Sequence, residues 1–167
     1  MGKKNRTEKK KVRFADIPLE QHEAFMLEAL KEADIAASLG EVPVGAVVVR
    51  DGQIIGRGGN RRETLGDPSA HAEILALRDA AETVGGWYLH SCVLYCTLEP
   101  CPMCAGALMQ ARMEGVCFGA QDAKAGACGS VIDLPGNELF PHTLWVHGGI
   151  LEQPSLQRIQ DFFRTRR

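Results

Sequence analysis

The sequence predicts one α/β domain organised around a mixed β-sheet. Three observations carry that reading: two β-branched runs joined at Asp51-Gly52, later apolar runs separated by helical stretches, and helical periodicity at both ends of the region. A hairpin makes its strands antiparallel neighbours, whereas strand–helix–strand connections make parallel, right-handed crossovers.

Taken in order, residues 20–39 place Phe25, Met26, Leu30, Ala33, Ala36 and Ala37 at helical intervals with Glu and Lys between them, and Gly40 ends the run. Residues 42–49 form the first strand, Asp51-Gly52 is a two-residue hairpin signal, and Ile54-Ile55 opens the second strand. The glycine-rich polar stretch 56–66 reads as a loop carrying Asn60, the kind of segment that often holds binding groups. Asp67-Pro68 reads as a cap followed by proline at the first helical position. On that reading His71 and Glu73 fall in the first turns of a helix running to about Val84, with Ile74, Leu75 and Leu77 buried and Gly85-Gly86 as its stop.

A third strand is expected over 92–97. Pro100 then opens a helix whose interior is Ala105, Leu108 and Met109, with Cys101 and Cys104 on one face of its start. Residues 116–120 read as the fourth strand, 121–136 as a long loop, and 143–146 as the fifth strand. The last helix, 154–167, is expected to bury Leu156, Ile159, Phe162 and Phe163 and to turn its arginines outward.

With 167 residues, 45% hydrophobic and 24% charged, the chain is long enough for one substantial core. The longest apolar runs are strand-sized, which argues against a membrane span, and no signal-peptide core follows the first basic residues. Six cysteines, two of them in a Cys-x-x-Cys, suit a reduced cytoplasmic setting with metal binding better than a disulfide framework. The net charge is only -2, but residues 1–13 carry seven Lys/Arg against Glu8, and residues 154–167 carry Arg158, Arg164, Arg166 and Arg167 against Asp161. Basic ends on an otherwise acidic chain suggest a polyanionic partner; a solvated arm is the plainer reading of the first thirteen residues. The expected division is a basic, flexible N-terminal arm over 1–19 and a single domain over 20–167.

The chemistry is concentrated in His71-Ala72-Glu73 and Pro100-Cys101-Pro102-Met103-Cys104. One histidine and two cysteines, each near a helix N-terminus, make three ligands of a tetrahedral metal site, and the helix dipoles favour the thiolate form that binds metal. Mixed imidazole and thiolate donors point to one Zn²⁺, with water or hydroxide as the fourth ligand. Glu73 is not needed as a ligand and is free to take that water's proton and pass it on, so it is the expected catalytic residue. A lone Cys-x-x-Cys is equally a redox motif or half a structural site; the joint occurrence of four positions and a proline is what gives this set the pattern of a zinc deaminase. Cys92, Cys96, Cys117 and Cys128 lack ligand spacing to a histidine and read as buried thiols.

Across roughly residues 20–167 the chain closely resembles the bacterial tRNA-specific adenosine deaminases. The resemblance rests on Pro43-Val44-Gly45-Ala46, Gly59-Asn60-Arg61, Asp67 through Glu73, Thr97 through Ala107, Phe118-Gly119-Ala120, Asp122-Ala123-Lys124, Gly126, and the closing Asp161-Phe162-Phe163-Arg164 with Arg166-Arg167. It implies a cytidine deaminase-like three-layer α/β/α sandwich with a mixed five-stranded sheet, and a homodimer acting on a tRNA anticodon stem-loop. It implies hydrolysis of the wobble adenosine to inosine, with zinc-activated water attacking C6 of an extruded adenine and Glu73 moving protons to the departing ammonia. It further implies that Asn60 bonds the purine, that Asp122 and Lys124 face the flanking nucleotides, and that Arg164, Arg166 and Arg167 meet RNA phosphates.

Two features depart from that pattern: Gln121 stands where a basic residue is expected, and the N-terminal arm is longer and more basic. Guanine, cytosine and cytidine deaminases share the metal motifs and form the first alternative, with Asp122-Ala123-Lys124, the loop after it and the arginine-ended helix favouring RNA. A catalytically silent zinc-bound RNA-binding subunit is the second, and the presence of Glu73 argues against it.

Overall fold

The centre of the sheet is set by the hairpin. In the computed structural model, which describes residues 11–166, β1 (Gly45–Arg50) pairs antiparallel with β2 (Gln53–Gly59). Asp51 and Gly52 both have left-handed backbone angles, φ 51° and 74°, the geometry whose twist matches that of the flanking strands. The other edge of β1 pairs antiparallel with β3 (Cys92–Leu98), which pairs parallel with β4 (Gly115–Ala120), and β4 pairs parallel with β5 (Trp145–His147). The order is β2-β1-β3-β4-β5, a mixed five-stranded sheet as expected.

Strand alternation sends Val47, Val49, Tyr95 and Cys117 to one face and Ala46, Val48, Leu94, Cys96 and Val116 to the other. On the first face lie α1 (Leu19–Ser38), through Met26 and Ala29, and α5 (Glu152–Arg164), whose buried Ser155 sits where a Cβ on Gly119 would fall. On the second lie α3 (Ala72–Val84) and α4 (Pro102–Gln110), through Ala72, Ala76, Ala105 and Leu108. This is the three-layer sandwich.

Several boundaries differ from those expected. The stretch 56–59 is strand rather than loop, because Gly56 and Gly58 face α3: a Cβ would lie 2.4 Å from the Ala76 carbonyl oxygen in one case and 2.5 Å from that of Ala72 in the other. The strand therefore lacks the side chains that announce one. The inner face of α3 is correspondingly Ala72, Ala76 and Ala80, with Leu77, while Ile74 and Leu75 are half-exposed. A four-residue helix, α2 (Arg62–Leu65), follows, and Gly66 ends it. Asp67 caps no helix; its Oδ1 accepts from the Ser69 amide at 2.8 Å and the Ser69 hydroxyl at 2.7 Å, and α3 starts later, with His71 at its N-cap. Likewise α4 is capped by Cys101 and takes Pro102, not Pro100, as its first residue.

The last helix begins at Glu152, and of its expected stripe Leu156, Ile159 and Phe162 are half-buried while Phe163 is 50% exposed. Residues 1–10, most of the basic arm, lie outside the described residues, as does Arg167. Residues 11–18 pack on the body: Phe14 stacks on His22 and His147, and Trp145 Nε1 donates to the Val12 carbonyl at 2.9 Å. No helix among the described residues is long and apolar enough to cross a membrane.

Candidate active site

β2 and β3 both pair antiparallel with β1 and so run the same way, and the chain leaves both at one end of the sheet, where α3 and α4 begin. His71 caps α3 and Glu73 is its second residue; Cys101 caps α4 and Cys104 is its third. One ligand atom from each of His71, Cys101 and Cys104 can be chosen so that all lie within 4.8 Å of one another. His71 Nδ1 stands 3.6 Å from Cys101 Sγ and 3.5 Å from Cys104 Sγ. Zinc bonds of about 2.3 Å to sulfur and about 2.0–2.1 Å to nitrogen, set at the tetrahedral angle, separate the two donors by about 3.6 Å. The three residues thus fit zinc by donor type and by spacing.

The electrostatics of the cluster agree with that use. A hydrogen bond from Cys104 holds the Cys101 thiol down to about 4, against the opposing effect of burial and with help from His71. The same contact, together with burial, drives Cys104 well up. His71 is raised, first by its hydrogen bond with Cys101. Glu73 is 4% exposed and no ion pair to it occurs among the described residues; burial pushes its carboxyl up to about 7. A carboxyl poised there is both acid and base near neutrality.

These groups open into a cavity of about 240 Å³ with apolar walls from Val42, Val44 and Leu98. Among the expected residues, Asn60, His71, Glu73, Cys101 and Asp122 line it, and Cys104 sits fully buried behind it. Asn60 is nearly buried, with Nδ2 donating to the Val42 carbonyl at 3.4 Å and Oδ1 accepting from the Arg62 amide at 3.2 Å. Asp122 Oδ1 accepts from the amides of Lys124 and Ala125 at 3.0 and 3.1 Å, which closes a turn at the cavity edge. Lys124 is exposed and outside the lining.

The arginines of α5 are not brought to the cavity. Arg164 pairs with Asp161 at 2.7 Å; Arg166 lies over the Phe162 ring at 3.7 Å and donates to the Gly40 carbonyl at 3.2 Å. Two charged lining residues escaped the sequence reading, Arg62 and Glu99. Arg62 follows Asn60 by two positions and Glu99 precedes Cys101 by two, so proximity to a motif was the available signal.

The family model for the cytidine and deoxycytidylate deaminase zinc-binding region matches residues 19–120. The chain is 47% identical over 147 residues to the tRNA-specific adenosine deaminase of Bacillus subtilis (strain 168), covering 88% of this chain and 91% of that one. Among solved structures it is similar to one from studies of A-to-I editing by tRNA:A34 deaminases at the wobble position of transfer RNA, with a TM-score of 0.78 and 44% identity over 81% of this chain and 98% of the other. It is also similar to guanine deaminase from Bacillus subtilis, with a TM-score of 0.57 and 43% identity over 60% of this chain and 64% of the other.

Proposed function

Because the chain belongs to the cytidine and deoxycytidylate deaminase zinc-binding family, and within it to the tRNA-specific adenosine deaminases, we infer that it hydrolyses adenosine to inosine at the wobble position of a tRNA anticodon. The observation that carries the chemistry is the opening of Glu73 and the His71–Cys101–Cys104 cluster into one cavity. Zinc held by those three residues supplies a Lewis acid that makes bound water acidic near neutral pH. Glu73, lining the cavity beside His71 and Cys101, takes a proton from the attacking water and delivers it toward the exocyclic nitrogen, which leaves as ammonia. The cavity is smaller than the usual pocket for a drug-sized ligand, which favours one extruded base with the rest of the RNA outside.

On the same reading Asn60 meets the base, Asp122 and Lys124 meet the flanking nucleotides, and Arg164, Arg166 and Arg167 meet phosphates. The position of Asn60 and Asp122 in the cavity lining supports the roles given to those two residues. A homodimer and cytoplasmic residence belong to the proposal as well; the exposed Val131, Ile132, Leu139 and Phe140 offer apolar surface for a second copy to cover.

The test is to incubate the zinc-loaded protein with an anticodon stem-loop bearing a wobble adenosine and, separately, with guanine and cytidine. Inosine in the RNA supports the reading. Turnover confined to a free base or nucleoside overturns it in favour of a small-molecule deaminase, and zinc-bound protein that binds the RNA without turnover points to a silent subunit.

A further inference from the structure

We propose that Glu99 is a positioning residue for the substrate, its carboxylate holding the loop that forms one wall of the cavity; the proposal rests on the reading of that cavity as the base-binding site. Glu99 is 1% exposed, and no Lys, Arg or His pairs with it among the described residues. A buried carboxylate is costly unless its oxygens are met by donors. Here they are met by backbone and hydroxyl groups of a single loop. Oε2 accepts from the Asp122 amide at 3.0 Å and from the Ser130 hydroxyl, and Oε1 accepts from the amides of Cys128 and Ser130 at 3.1 and 3.0 Å.

Residues 121–136 contain no helix or named strand, so these four bonds add to the segment's own backbone bonds, such as Gly126 N–H to the Asp122 carbonyl at 2.9 Å and Val131 N–H to the Gly126 carbonyl at 2.9 Å. They draw the two ends of the 122–130 segment onto one side chain. Gly126 completes the fit, since a Cβ there would lie 2.4 Å from the Glu99 carboxyl. The held segment includes Asp122 and Ala125, both in the cavity lining.

Glu99 also stands two residues before Cys101, yet the metal cluster is held by different bonds. The Cys101 carbonyl accepts from the Ala105 amide at 2.9 Å within α4, and the His71 carbonyl accepts from the Leu75 amide at 3.0 Å within α3. The Ala127 amide ties the same loop to the Pro100 carbonyl at 2.8 Å without using the Glu99 side chain, so loosening the carboxylate displaces the substrate wall near Asp122 and Ser130 while the ligand segment keeps its own bonds. This separates substrate binding from the chemical step and makes the role testable.

The experiment compares full-length, zinc-loaded wild type with Glu99→Gln, Gly126→Ala and Ser130→Ala. In Glu99→Gln an NH₂ group replaces one acceptor oxygen and faces the loop's own donors. Losing hydrogen bonds to a charged acceptor predicts a rise in KM for the anticodon stem-loop of about 10- to 100-fold, with kcat little changed and one zinc per chain retained. Gly126→Ala should reproduce the KM rise from the loop side, and the effects of Glu99→Gln and Ser130→Ala should be non-additive in KM. Amide exchange should accelerate at Asp122, Cys128 and Ser130 and stay unchanged along α3 and α4.

Loss of zinc, a fall in kcat with KM constant, or faster loop exchange with unaltered kinetics each overturns the proposal. If Glu99→Gln fails to fold, Gly126→Ala and Ser130→Ala carry the same KM test. Wild type that makes no inosine would defeat the proposed function, and the exchange pattern would still report whether Glu99 holds the loop.

Discussion

His22 Nδ1 lies 2.8 Å from the Tyr95 hydroxyl, and both side chains are sealed from solvent. Nε2 faces the Phe14 carbonyl at 3.0 Å, which must accept, so Nε2 carries the proton and Nδ1 accepts from Tyr95. Burial lowers the His22 pKa, with the Phe14 contact opposing it. The unfolded chain protonates this histidine more readily than the folded one, so its contribution is whole above the ordinary value of 6.5 and is lost as pH falls through the lower folded value. Urea midpoints at about pH 7.5 and about pH 5.5 should fall further for wild type than for His22→Gln. Equal falls would mean that another group sets the acid sensitivity.

Glu73→Ala should lower turnover by about 10²- to 10⁴-fold, the range for a removed acid–base group, while zinc content stays at one per chain. Zinc loss in that variant would make Glu73 part of the metal cluster instead. Because burial raises the Glu73 pKa to about 7, its contribution to folding is present below the ordinary carboxylate value and is lost as pH rises through about 7. Glu73→Gln should therefore resist urea better than wild type at about pH 8 while remaining inactive.

Gly58→Ala places a methyl 2.5 Å from the Ala72 carbonyl oxygen, inside the seat of α3. The expected cost is about 1–3 kcal/mol in urea unfolding, together with weaker zinc retention, since His71 caps the helix that must move. Gly52→Ala serves as a comparison, because open space surrounds it and its cost comes only from its left-handed backbone.

Deleting residues 1–10 removes five Lys/Arg and Glu8 and keeps the Val12 and Phe14 contacts. Binding of the anticodon stem-loop should then depend less steeply on salt, by about 0.7 in the logarithmic slope for each single-strand phosphate that the arm had neutralised. An unchanged slope would leave the arm as a solvated tail.

The sheet and the metal cluster were legible for one reason: both are announced by local signals, the hairpin by Asp51-Gly52 and the cluster by His71-Ala72-Glu73 and Pro100-Cys101-Pro102-Met103-Cys104. Asp51-Gly52 sets the hairpin locally, and His71, Cys101 and Cys104 come together once two helices start at the same end of the sheet. Much of what was not legible depended on partners distant in the chain. The strand at 56–59 looks like a loop because its glycines answer to alanines well over ten residues later, and Asp67-Pro68 looks like a helix start because Asp67 has a nearer partner in Ser69. Glu99 escaped because its donors lie in the irregular segment 122–130, where no periodicity points back to it. Arg166, expected at RNA phosphates, lies over Phe162 four residues before it and donates to the Gly40 carbonyl, which the packed C-terminus brings near.

The contact between β2 and α3 is made largely of backbone: glycine on the strand, alanine on the helix, and carbonyl oxygens between them. A joint of this kind has almost no adjustable volume. Larger residues do not enter at Gly56 or Gly58 without moving the helix, and the helix start is where His71 is held. Sequence drift in this strand should accordingly collect at its exposed start, Gln53, while Gly56 and Gly58 stay frozen in composition and Arg57 stays tied to Glu28 and Glu32 of α1. A library randomised over residues 53–59 and selected for zinc retention should return glycine at 56 and 58 and a broad mixture at 53.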